Sequence, residues 1–148
     1  MGTRYTGSED EVLALDAFIK LTRATDSLLS RLSRCESLKN LTMSQFGVME
    51  MLYYLGPLSL GEISEKLLKS TGNITVVIDN LEKRDFVVRE RDKQDRRIIR
   101  VSLTPQGSEV IEKVFPYHVR AITAQMNILN KEEQRMLADL CKRLGKQE

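Results

Sequence analysis

Midway along the chain the hydrophobic period changes, and that change limits the fold more than any other feature. Up to about Leu81 apolar residues recur every three or four positions, and from Thr104 onward the same spacing returns. Between them Phe86, Val88 and Glu90 alternate with Val87, Arg89 and Arg91, and Ile99, Val101 and Leu103 alternate with Ile98, Arg100 and Ser102. Both runs favour β-branched residues and predict the strands of one hairpin. Its loop, Asp92 to Arg97, is polar and highly charged. The fold class is therefore mainly α with a small β-hairpin.

Cap signals order the helices. Ser8 with Glu11 has capping-box spacing and opens a long helix reaching about Ser37, with Leu15, Phe18, Ile19, Leu28, Leu29 and Leu32 along one face. Thr42 with Gln45 opens a second, carrying Phe46, Met49, Leu52 and Tyr53 and stopped by Gly56-Pro57. Ser59 with Glu62 opens a third, with Ile63, Leu67 and Leu68 on its inner face. A break around Ser70-Thr71-Gly72 precedes a fourth, striped by Ile74, Val77, Ile78 and Leu81. Two short helices joined by a tight, glycine-containing turn outline a helix-turn-helix, and the hairpin behind them is its wing. Thr104 caps a fifth helix whose first position, Pro105, needs no N–H. That helix is expected to run towards Leu129, kinked or broken at Pro116. Asn130 with Glu133 opens a last helix bearing Met136, Leu137, Leu140 and Leu144, with Gly145 suited to its end. With no linker or repeat in view, outer helices and central module are expected to share one core.

Composition excludes several classes. The chain has 148 residues, 41% of them hydrophobic, enough for one compact domain with a real core. No apolar run approaches the length that spans a bilayer, and the polar start, Met1 to Asp10, leads into no signal-peptide core. The cytoplasm is the expected compartment, without membrane partners. Two cysteines make no disulfide framework, and one histidine leaves a zinc site only scattered ligands, so neither metal nor cofactor is expected.

Net charge is only +2, but it is unevenly placed. Lys69 to Arg100 holds nine basic and six acidic residues, while the remainder holds 14 and 15. A basic stripe beside a helix-turn-helix is the footprint of a duplex-binding surface. Opposite the apolar stripe of the fourth helix stand Ser70, Thr71, Asn73, Thr75 and Val76. Asn can pair two ways with adenine, Ser and Thr bond base or phosphate, and a Val or Thr methyl meets the thymine methyl. Gly72 lets a backbone come close. Lys83 and Arg84 begin the densest basic stretch, and Lys93, Arg96 and Arg97 arm the hairpin loop, from which arginine can enter a narrow minor groove. Asp95 is expected to hold one arginine in place, with Arg89 and Arg97 as candidates.

Taken in order, Ser70-Thr71-Gly72-Asn73-Ile74-Thr75, Asn80-Leu81-Glu82-Lys83-Arg84, Val88-Arg89, Asp95-Arg96-Arg97 and Leu103-Thr104-Pro105-Gln106-Gly107 closely resemble the MarR family of bacterial regulators. The resemblance covers essentially the whole chain, 1–148. It implies a homodimeric winged helix-turn-helix transcription factor, in which 8–37 and 105–145 supply dimerisation helices and 42–104 the DNA-binding module. The fourth helix would enter the major groove and Arg96 the minor groove of a pseudo-palindromic operator, with half-sites roughly 10 bp apart. Family members usually repress transcription and release double-stranded DNA in response to a small aromatic or lipophilic compound, an oxidant or a metal. One position departs: Asp85 stands where the family usually has Gly, at a site expected to need left-handed backbone.

The signal is less legible. Cys35 comes late in its helix, where the dipole disfavours a thiolate, and Cys141 reads as packed; redox sensing through Cys35 is the alternative reading. His118 reads as a surface or interface residue, or as part of a cavity. Phe46, Met49 and Tyr53, with Met51 and Tyr54, wall a pocket or are plain core. A protein-binding winged helix without DNA contacts is a second rival. An enzyme is not expected, since only Cys35 and His118 could pair as nucleophile and base.

Overall fold

In the computed structural model of the protein residues 2–146 are described; Met1, Gln147 and Glu148, at the ends of the expected domain, lie outside the described residues. Helices begin where the caps place them. In α1 (Glu9–Arg34), α2 (Met43–Leu55) and α3 (Leu60–Leu67) the capping boxes of Ser8–Glu11, Thr42–Gln45 and Ser59–Glu62 are all formed, each satisfying two orphan N–H groups. The α4 helix (Thr71–Lys83) is capped by Ser70 and α5 (Pro105–Met126) by Thr104, whose Oγ1 accepts the Gly107 N–H at 3.0 Å. Asn130 and Glu133 bond reciprocally at the start of α6 (Lys131–Lys146).

The hairpin strands are β2 (Val87–Arg91) and β3 (Ile99–Leu103). A two-residue strand, β1 (Leu58–Ser59), was not foreseen; it pairs antiparallel with β3 and completes a sheet of order β1-β3-β2. The register sets Val87 opposite Leu103, and both Arg89 and Leu58 beside Val101. One sheet face thus carries Leu58, Val87, Val101 and Leu103 inward at the wing base, and the same face passes to Arg91 and Ile99 near its tip.

The chain forms two compact units, Ser37–Val119 and an outer unit made of residues up to Glu36 with those from Arg120 onward. Every residue of the hydrophobic core cluster lies between Leu38 and Val114, centred on Met49, Ile63, Ile74, Ile78, Leu81 and Ile111. Each such side chain contributes about 1.5–3 kcal/mol on burial. Of the outer helices expected to share this core, α5 enters it through Ile111 and Val114. In α1 only Leu32 is buried and in α6 nothing is, while Leu13, Phe18, Met136, Leu140 and Leu144 are exposed. Within the outer unit, Arg31 Nε donates to Gln125 Oε1 and joins α1 to the end of α5.

Three local readings are corrected and a fourth is narrowed. The turn between α3 and α4 holds no glycine: Leu68 takes the left-handed position, φ 53°, and Gly72 lies inside the first turn of α4. Of the kink or break foreseen at Pro116 the break is absent: α5 continues through it, and the proline withholds the bond to the Glu112 carbonyl. Gly145 is helical rather than terminal, and Cys141 is exposed rather than packed.

Asp85 does adopt left-handed backbone, φ 59°. It leads into a close approach between the wing base and α5. The Phe86 carbonyl accepts the Thr104 N–H at 3.1 Å, and a Cβ on Gly107 would sit 2.0 Å from that same oxygen. Gly107→Ala must push α5 off the wing base and is expected to lower stability by about 2 kcal/mol, read from the urea midpoint. Asp85→Gly removes the left-handed penalty and is expected to raise stability by about 1 kcal/mol in the same measurement.

Candidate nucleic-acid interface

The buried stripe of α4, Ile74, Val77, Ile78 and Leu81, turns its other face outward at the amino-terminal end. Ser70, Thr71, Gly72, Asn73 and Val76 are exposed there, and Thr75 is half-buried. Two of these side chains are partly committed to the helix: Ser70 Oγ accepts the Asn73 N–H at 3.2 Å, and Thr75 Oγ1 donates to the Thr71 carbonyl at 2.8 Å. Asn73 and Val76 present their side chains outward. A Cβ on Gly72 would meet nothing within 4 Å. The fold itself does not need glycine at that position.

The wing loop is ordered by its own acids. Asp92 accepts the N–H groups of Gln94 and Asp95, at 3.2 and 2.9 Å, and Arg100 Nε at 2.8 Å. Arg100 also lies 3.7 Å from Glu62, tying β3 to the α3 cap. Asp95 accepts the Arg97 backbone N–H, Nε and Nη2 at 3.1, 3.1 and 3.2 Å. Both carboxyls are held below the usual aspartate range, Asp92 chiefly by the Arg100 hydrogen bond and Asp95 by that of Arg97. With the Arg97 side chain 91% exposed, its pairing orients more than it stabilises.

Of the two partners foreseen for Asp95, Arg97 is therefore the one it holds. Arg89 instead pairs with Asp79 and with Glu82, whose Oε2 is 3.5 Å from Nε and accepts the Arg89 backbone N–H at 3.2 Å. It braces β2 against α4. Arg84, half-exposed, has a structural role besides the DNA contact foreseen for it: its Nη1 donates to the Asn40 carbonyl at 3.0 Å, and its guanidinium lies 4.7 Å from the Phe86 ring centre. Lys83 is exposed but stands twelve residues after Thr71, about 18 Å along the axis. Acids thus neutralise Arg89, Arg97 and Arg100, while Lys93 and Arg96 are exposed and their side chains make no ion pair or hydrogen bond among the described residues. The signal that separates these arginines, which carboxylate each one meets, is absent from a linear reading of charge.

The pocket candidates separate as well. Phe46 and Met49 are core. His118, read as a surface or interface residue, is buried: its ring centre lies 4.5 Å from that of Phe46, and Ser37 Oγ is 3.5 Å from Nδ1. Tyr53 and Tyr54 line a cavity, about 170 Å³, with Ile111, Glu112, Phe115 and Pro116. The Tyr53 hydroxyl donates to Glu112 Oε1 at 3.2 Å, and the Glu112 charge pushes its pKa upward. Cys35 is exposed at the end of α1. Among the described residues no group of three His, Cys, Asp or Glu is placed to hold a metal ion.

Helix-turn-helix, three-stranded sheet and projecting basic loop define a winged helix-turn-helix protein. The MarR family profile matches residues 41–99. An uncharacterised HTH-type transcriptional regulator of Bacillus subtilis, YkoM, is 35% identical over 143 residues, 96% of this chain and 93% of the relative. The chain belongs to the MarR family and is a DNA-binding transcriptional regulator. Among solved structures, AbsC, a MarR family regulator from Streptomyces coelicolor, matches with TM-score 0.84 at 22% identity, covering 98% of this chain and 97% of that one. Bordetella bronchiseptica BpsR, described with regulation of its DNA binding by 6-hydroxynicotinic acid, matches with TM-score 0.80 at 24% identity, covering 88% and 98%.

Burial lowers the His118 pKa below its ordinary 6.5, so acid favours the unfolded chain, which binds the proton more readily. Stability that is full near neutral pH is expected to decline as pH falls through 6.5. Melting the wild type and His118→Phe between about pH 7.5 and about pH 5 checks this. The variant, which keeps a ring against Phe46, is expected to lose part of the acid sensitivity.

Proposed function

We propose that two copies of this chain bind a pseudo-palindromic operator in the cytoplasm and repress transcription, and that a small effector in the Tyr53 cavity releases them. The observation carrying the DNA reading is Arg96, exposed on a turn whose acids are already bonded to Arg97 and Arg100. A duplex meets an ordered loop with an uncommitted guanidinium, suited to the minor groove. The exposed start of α4, from Ser70 to Val76, fits the major groove, and unhindered Gly72 lets the backbone approach it. Exposed apolar side chains on α1 and α6 support the homodimer, since such faces mark association surfaces. The cavity supports the effector, as does the regulation of BpsR by a small ring compound.

DNA fragments selected from a random duplex pool supply the operator. Arg96→Ala is expected to weaken its binding about tenfold and reduce the salt slope by about one unit. Full affinity with an unchanged slope would instead favour the winged helix as a protein-binding module.

A further inference from the structure

The cavity's walls say which class of molecule it takes. Three aromatic side chains are among its lining, packed edge to face on one another: Tyr53 and Tyr54 lie 5.2 Å apart at 85°, and Tyr54 and Phe115 5.9 Å apart at 65°. Aromatic faces are the negative ends of ring quadrupoles, so a space lined by aromatic side chains and a carboxylate attracts a cation more than a neutral group. Glu112 is the sole charged residue of the lining, and Tyr53 steadies it by donating to Oε1. No lysine, arginine or histidine lines the space, so an anionic ligand would meet a carboxylate and no counter-charge. About 170 Å³ suits a compact headgroup and is smaller than a drug-sized site.

Resting on the effector reading above, we infer that this effector is a small organic cation, an alkylated ammonium, held against Tyr53, Tyr54 and Phe115 and neutralised by Glu112. Its methyl groups would lie against the rings, while its charge needs no hydrogen-bond donor from the protein. An acid of the kind described for BpsR would fit this lining poorly.

Three probes of nearly one shape test the charge: choline, its neutral carbon isostere dimethylbutanol, and the anion dimethylbutanoate. Binding to the full chain is followed by tyrosine ring shifts in NMR, and operator affinity by fluorescence anisotropy. Choline is expected to bind about tenfold more tightly than the alcohol, with the anion weakest. Glu112→Gln is expected to abolish most of that preference, whereas Glu109→Gln, which removes an exposed carboxylate outside the cavity, leaves it intact. Equal binding of choline and the alcohol, preference for the anion, survival of the preference in Glu112→Gln, or no binding by any probe overturns the ammonium assignment. Release of operator by a neutral aromatic compound with choline inert does so too, and keeps the effector cavity. Choline bound at the rings without any change in operator affinity overturns the effector reading and keeps the ammonium site.

Discussion

The Phe86 carbonyl is where the winged unit is joined. It follows the end of α4, opens the wing, accepts the N–H that ends β3 and touches the first turn of α5. Its neighbour on the chain, the Asp85 carbonyl, receives the Thr104 hydroxyl at 2.6 Å, and that hydroxyl also accepts the Gly107 N–H. Four elements meet over a few main-chain atoms, so α4 and the wing share one mount. Arg89 then adds a side-chain brace from β2 to α4 through Asp79 and Glu82.

Much of this architecture is legible in the sequence because it is set locally. Each capping box spans four residues and satisfies donors that the helix start would otherwise leave open, so Ser59 and Glu62 announce α3 wherever the chain goes next. The left-handed backbone at Asp85 was legible by another route, the family resemblance, in which glycine usually stands there. What escaped has the opposite character. Two residues, Leu58 and Ser59, become a strand only because β3 passes beside them. His118 looks polar in sequence and is buried by Phe46 and its surroundings. Leu68 takes a conformation that sequence rules reserve for glycine, held by N–H bonding to Glu65 and Ser64 carbonyls.

The candidate interface divides along the same line. The polar start of α4 was readable from its 3.6-residue stripe, since removing the buried positions leaves the outward ones. The roles of the arginines were not. Arg84, Arg89, Arg96 and Arg97 are equal as charges along the chain, yet one meets a carbonyl and a ring, two meet carboxylates and one meets solvent. Only the fold distinguishes the guanidinium that stabilises the protein from the one available to a partner. The cavity follows suit, because Tyr54, Glu112 and Phe115 are brought together from two helices.

The carboxylates of the wing have a thermodynamic consequence. A basic loop without them would sample many shapes in solution and would surrender that freedom on contact, offsetting part of the attraction to phosphate. Here Asp92 and Asp95 restrict the turn during folding, so the conformational entropy is lost before any duplex arrives. Two negative charges that electrostatics alone would place far from a polyanion thus give back, as preorganisation, what they take in repulsion.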